Sequence, residues 1–309
     1  MSFTNQTIVI TGASDGIGAE LARQLAREKP KLVLAARRRE ALQAVASQCE
    51  ALGATTLIVP TDVSIEADCR ALIAAVVAKF GRIDALVNNA GVSMHANFDE
   101  ISDTAVYENL MRINLMGSVW PTHAALPHLK ASKGLIVAVA SLAGLVGVPG
   151  RTTYCATKFA QTGFFEALRT ELQPQGVDVT IVYPGVVATE IRRNGWNAAG
   201  ERAGSSGLSE DKAMSVEECA GLIVAAMRSR KRDEVMSFTE TPAKGQNRVV
   251  EIATVLATWR TQATTVRITT AFFSPLQSSV TVAAQADPHI NIASVATVDK
   301  QIRVMVAQA

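Results

Sequence analysis

Tyr154 and Lys158 stand four residues apart, and Ser141 lies upstream of them. On a helix, positions i and i+4 share a face, so the ammonium of Lys158 can be held close to the phenol of Tyr154. A neighbouring positive charge favours phenolate and draws a tyrosine pKa down from about 10. A phenol tuned in this way exchanges a proton with an alcohol or a carbonyl near neutral pH. A serine hydroxyl beside it can donate to the same oxygen, where charge grows in the transition state. Tyr-x-x-x-Lys pairs are common on solvated helix surfaces, so this pair gains weight only from what accompanies it along the chain.

Its first companion is near the start. Thr7 to Ile10 is a short apolar run that reads as a buried strand. The turn Thr11-Gly12-Ala13-Ser14-Asp15-Gly16-Ile17-Gly18 follows at once, and residues 19–28 carry apolar positions at helical spacing. Strand, glycine turn and helix form the context of a dinucleotide-binding fingerprint. Glycines let the backbone approach a pyrophosphate, and the helix N-terminus supplies N–H groups and a positive dipole end. The spacing here is Gly-x-x-x-Gly-x-Gly rather than Gly-x-Gly-x-x-Gly.

A second strand spans 31–36 and ends in Arg37-Arg38-Arg39, with no acid until Glu40. An acid at this place bonds the ribose 2′-hydroxyl of NAD, whereas an arginine suits the 2′-phosphate of NADP. Arg37 and Arg38 therefore favour NADP over NAD as the cofactor. Asp15, an acid inside the glycine turn, does nothing to attract such a phosphate.

Further strands near 56–60, 84–88, 134–140 and 178–183 alternate with helical segments. That alternation predicts an α/β fold, a Rossmann-type doubly wound parallel sheet with helices on both faces. Ligands then bind outside the carboxyl ends of the strands, where all the residues named so far fall. Ser215-Val216-Glu217-Glu218 reads as a capping box opening a late helix.

These motifs, with Asp62-Val63, Asn88-Asn89-Ala90-Gly91, Asn114 and Pro184-Gly185 followed by Thr189, resemble the short-chain dehydrogenase/reductase family in its single-domain branch. The resemblance runs from about Gln6 to Phe238, and the stretch 124–172 is most similar to hydroxysteroid-dehydrogenase-like members. It implies an enzyme that interconverts a secondary alcohol and a ketone or aldehyde by hydride transfer, with Tyr154 as general acid and base. It implies that Lys158 depresses the tyrosine pKa and holds the nicotinamide ribose, and that Asn114 holds a water that passes protons to the lysine. It further implies contacts to the cofactor from Gly12, Ser14, Asp15, Gly16, Ile17, Gly18, Asp62, Val63, Asn89, Ala90, Gly91, Pro184, Gly185, Val187 and Thr189. A mid-helix asparagine is a poor helix former, so Asn114 reads as a local cost accepted for function. A nucleotide-binding regulatory protein without turnover, and an epimerase or dehydratase of the related extended branch, share parts of the pattern. The intact set Asn114, Ser141, Tyr154 and Lys158 speaks against the first, and the glycine spacing against the second.

Composition narrows the partners. The chain has 309 residues, 48% of them hydrophobic, and a formal charge of +2, so a large core is expected and a broad nucleic-acid surface is not. Cys49, Cys69, Cys155 and Cys219 have no paired spacing and read as reduced thiols. The four histidines are scattered without zinc spacing, so no metal is expected. The most apolar stretch, 134–149, falls short of the ~20 residues of a membrane span, and no leader precedes the first strand, so a cytoplasmic protein without membrane contact is expected. The polar, glycine-rich segment 192–212 lies where the family carries a substrate lid, and the substrate is expected to be a small, apolar carbonyl or alcohol. The resemblance also implies a homodimer or homotetramer paired through helices near 104–130 and 152–174. Residues 1–238 read as the catalytic domain. Residues 239–309 read as an atypical extension, with one amphipathic helix around Val249 to Trp259 and short strands beyond it.

Overall fold

Six apolar, β-branched runs form the six expected strands, within a residue or two of their expected bounds: β1 (Thr7–Thr11), β2 (Lys31–Ala36), β3 (Thr55–Pro60), β4 (Ala85–Asn88), β5 (Leu135–Val139) and β6 (Asp178–Pro184). The structure, a computed structural model, describes residues 2–206 and 213–236. The expectations for 239–309, and part of the lid segment, lie outside the described residues. A seventh strand, β7 (Asp233–Met236), was not among those expected. Its four residues are too few for a pattern, and its first side chain, Asp233, is buried against Arg169 at 3.0 Å. A buried acid reads as loop in a sequence and becomes tolerable in a strand only through that distant partner.

All seven strands are parallel, in the order β3-β2-β1-β4-β5-β6-β7. Helices α1 (Gly16–Ala26), α2 (Arg39–Ala51) and α7 (Val216–Ser229) cover one face. Helices α3 (Glu66–Phe80), α5 (Gly117–Ser132) and α6 (Thr152–Leu172) cover the other. A short helix, α4 (Ala105–Met111), leads into α5. Strand pleating divides the side chains: Ile8, Ile10, Leu32 and Leu34 enter the first core, while Val9 and Val33 enter the second. All six are fully buried, each stabilising by roughly 1.5–3 kcal/mol. The doubly wound parallel fold is therefore as expected. Its order reverses between β1 and β4, and a crevice opens beyond the carboxyl ends of those strands.

The helix caps are set by the sequence. The Asp15 carboxylate accepts the Gly16 N–H at 2.7 Å and starts α1 three residues before the expected helix. Ser215 Oγ accepts the Glu218 N–H at 3.0 Å, the predicted cap of α7. Between α4 and α5 the backbone widens into a π-helical turn, Arg112–Met116, with Asn114 at its middle.

Candidate active site

The glycine turn is tied to β4 by side chains that the motif contains. Thr11 Oγ1 donates to Val87 O and accepts the N–H groups of Asn89 and Ala90. Asn89 Nδ2 donates to Thr11 O and Gly12 O. Gly12 and Gly16 have φ of 65° and 52°, which favour glycine. Gly18 is needed for close approach, since a Cβ there would lie 2.4 Å from Gly12 O. Thr189, on the loop after β6, closes on the same turn: a Cβ at Gly16 would meet its Cγ2 at 3.3 Å.

A single cleft of ≈ 320 Å³ runs from this turn to Tyr154. At one end lie Gly12, Ser14, Asp15, Gly16 and Ile17, with the exposed Arg37 and Arg38 beside them. Asp62, Val63, Asn89, Ala90 and Gly91 form the middle. Ser141, Tyr154 and Lys158 line the far end, and the loop after β6 adds Pro184, Gly185 and Val187 to the lining, with Thr189 reaching back to the glycine turn. Two expected site residues do not reach it: Gly18 packs behind the turn, and Asn114 is fully buried. The Asp62 carboxylate also accepts Ser64 N–H and O–H and so shapes the turn before α3.

The local cost of Asn114 is offset by bonds to distant parts of the chain. Its Oδ1 accepts Val92 N–H at 2.8 Å, and its Nδ2 donates to Val92 O and Thr157 Oγ1 at 3.0 Å each. The side chain thus pins the segment after β4 to α6. A Cβ at Gly91 would lie 3.2 Å from Asn114 Oδ1 and 3.9 Å from Lys158 Nζ, so both side chains close on the same glycine.

Ser141 Oγ accepts the Ala143 N–H and donates to Pro184 O, which fixes it at the end of β5. Tyr154 and Lys158 share the buried face of α6, as the spacing predicts. Their electrostatics differ from expectation. Lys158 Nζ donates to Val139 O and Gln161 Oε1, both at 2.9 Å, and sits 5.7 Å from the Tyr154 ring centroid. Burial lowers the Lys158 pKa to about 7. Burial also pushes the Tyr154 phenol above its ordinary value, and the opposing influences are the Arg151 guanidinium and a hydrogen bond with Ser141. The expected net depression by Lys158 is therefore corrected: desolvation outweighs the neighbouring charges, and the foremost of those charges is Arg151.

Arg151 and Arg192 were not singled out from the sequence. Both are buried and both line the cleft. The available signal was position: Arg151 lies three residues before Tyr154, one helical turn away, and directly precedes α6.

Residues 6–199 match the short chain dehydrogenase family. The chain belongs to that family. It is similar to the 11-beta-hydroxysteroid dehydrogenase-like 4A of Arabidopsis thaliana, 44% identical over 183 residues, which are 59% of this chain and 61% of that one. It is 40% identical over 189 residues to the 11-beta-hydroxysteroid dehydrogenase of Pinus massoniana, covering 61% of this chain and 53% of that one. The match thus spans between about half and about three-fifths of these relatives' length. An alcohol dehydrogenase of the archaeon Thermococcus sibiricus, solved as a complex with 5-hydroxy-NADP, has the same fold, with a TM-score of 0.67 and 26% identity. It covers 77% of this chain and 98% of that one. Among the described residues of this family member, no helix is long and apolar enough to cross a membrane. Nor do three or more His, Cys, Asp and Glu side chains among them form a group that could hold a metal ion.

Proposed function

We propose that this short chain dehydrogenase interconverts a secondary alcohol and a ketone, or reduces an aldehyde, with NADP(H) as cofactor. The observation that carries this reading is the continuity of the cleft from Arg37, Arg38 and the glycine turn to Ser141, Tyr154 and Lys158. The cleft fits a dinucleotide: positive φ at Gly12 and Gly16 turns backbone toward it, and the start of α1 faces it. The NADP complex of the archaeal relative supports the cofactor. Arg37 and Arg38 form no ion pair among the described residues and are free to meet a 2′-phosphate.

Bound NADPH would supply the hydride for the carbonyl carbon. The chain's own part is to polarise the carbonyl oxygen and to protonate it. Ser141 Oγ donates to that oxygen as negative charge grows. Tyr154 Oη transfers its proton to it and is left as phenolate, giving the alcohol. The phenolate is stabilised by the guanidinium of Arg151, 5.1 Å from the ring centroid, and by the ammonium of Lys158 at 5.7 Å. In the oxidation direction the phenolate removes the hydroxyl proton. Asn114 acts at one remove, by holding the segment against which Lys158 packs.

The test is NADPH consumption with a panel of ketones and aldehydes, and NADP reduction with the matching alcohols. Turnover of any member by the wild type, with product alcohol in equal amount, supports the reading. Cofactor binding with no turnover across the panel would instead favour a binding protein.

A further inference from the structure

The substrate end of the cleft holds a cation, Arg151, whose hydrogen-bonding capacity is only partly used. Arg151 is 9% exposed. Its Nη2 donates to Ser93 Oγ at 3.1 Å, while its Nε is buried without a hydrogen-bond partner. The charged and titratable groups that act on it are Tyr154, Arg192 and Cys155, none of which is an acid at neutral pH. No carboxylate pairs with it among the described residues. Arg192, 7% exposed, adds a second positive charge to the same wall and hydrogen-bonds Val187 O and Ser206 Oγ.

A buried guanidinium with an idle N–H is costly, and buried polar groups almost always find partners. Arg151 lines the cleft that contains Ser141 and Tyr154, and its charge lies over the phenol that must face the reacting carbonyl. We propose that Arg151 receives a carboxylate of the substrate, so that the carbonyl reduced here belongs to an oxo acid whose carboxylate stands a few bonds from the reacting carbon. A planar carboxylate matches the edge of a guanidinium, which a compact ammonium would not reproduce. Val92, Val186 and Ile191 line the same cleft and suit an apolar body. The substrate class is then an apolar oxo acid rather than a purely apolar ketone. The carboxylate takes no part in bond making: the carbonyl carbon gains the hydride and its oxygen the proton of Tyr154.

This inference rests on the oxidoreductase reading, and its test separates the two. A series of aliphatic oxo acids and their methyl esters is offered with NADPH to wild type, Arg151→Met and Arg151→Lys, after thermal unfolding has shown each variant folded. The readout is the ratio of kcat/KM for acid over ester. That ratio cancels any effect of Arg151 on Tyr154, which acts on both substrates alike. The wild type is expected to favour the acid at least tenfold, Arg151→Met to lose the preference, and Arg151→Lys to regain part of it. An acid-to-ester ratio unchanged in Arg151→Met overturns the proposal. Calorimetric titration of the NADP-loaded protein with the corresponding unreactive carboxylates gives a second readout, independent of turnover. Binding abolished in Arg151→Met sustains the receptor even where no carbonyl is reduced. Carboxylate binding absent in wild type, or retained in Arg151→Met, overturns it.

Discussion

Replacing Lys158 with Met should cost activity and alter stability in a way that depends on pH. Lys158 is 4% exposed, and burial lowers its pKa from 10.5 to about 7. At about 1.4 kcal/mol per unit, holding the ammonium folded costs up to about 5 kcal/mol. The acceptors Val139 O and Gln161 Oε1, each at 2.9 Å, favour the ammonium, and the lowered pKa is what remains after they have acted. The folded chain binds fewer protons than the unfolded chain between the two pKa values, so the penalty is full below pH about 7 and fades as pH rises towards 10.5. Methionine removes the titration but leaves the two acceptors without their donor, a fixed cost at every pH. The variant should therefore gain on the wild type by several kcal/mol, at most about 5, on going from alkaline to neutral pH. Buried Cys49, Cys69 and Cys219, with pKa values raised to about 11, 12 and 12, also bend the stability curve above pH 9, but they do so in both proteins and cancel in the difference. Urea unfolding of the two proteins from pH 6 to 10 makes the measurement. A wild-type-to-variant gap that stays constant over that range would show that the lysine is not desolvated as the structure has it.

Tyr154→Phe should lower turnover by at least the ~10²–10⁴ of a lost general acid, while calorimetry finds cofactor affinity within a few-fold of wild type; retention of half the rate would remove the tyrosine from the mechanism. Arg37→Asp should shift the ratio of NADPH to NADH affinity by at least tenfold, about 1.4 kcal/mol, because a phosphate contact is lost and a like charge added; equal loss for both cofactors would mean that Arg37 does not read the 2′-phosphate. The exposed face of α6 carries Phe159, 45% exposed, and should pair with a second copy of the chain; light scattering at micromolar concentration is expected to give a dimer or tetramer, and Phe159→Glu to weaken it.

What the sequence discloses about this site, and what it withholds, follows from the range of the forces involved. Gly12, Gly16 and Gly18 are legible because their constraints are local: a positive φ or a Cβ with no room. Strands β1, β2, β4, β5 and β6 are legible because burial on both faces leaves largely apolar runs, whereas β3 at the sheet edge is legible from its short apolar run alone, being only partly buried. Strand β7 is not, because its Asp233 becomes acceptable only beside Arg169. Leu110 and Phe165, on the helices through which the resemblance implies pairing, are fully buried in the monomer and leave less apolar helix surface for a partner. The π turn at Asn114 is silent in the sequence for the same reason: its bonds go to Val92 and Thr157, 22 and 43 residues away.

The electrostatics of Tyr154 are the extreme case. Spacing places Lys158 on the same helical face, and a pairwise argument then lowers the phenol pKa. The structure commits Lys158 to Val139 and Gln161, brings Arg151 over the ring, and buries the phenol so that desolvation raises its pKa. A proton donor with a raised pKa remains protonated across the neutral range, the state that carbonyl reduction requires. Oxidation needs the phenolate and must await higher pH or further positive charge. Reduction should therefore fall only as the Lys158 ammonium is lost around pH 7, while alcohol oxidation rises relative to reduction with pH as the fraction of phenolate grows. Parallel pH profiles of the two directions under saturating cofactor make the comparison. A ratio of oxidation to reduction that is already flat at pH 7 would mean that Arg151 and Lys158 together overcome the burial of Tyr154.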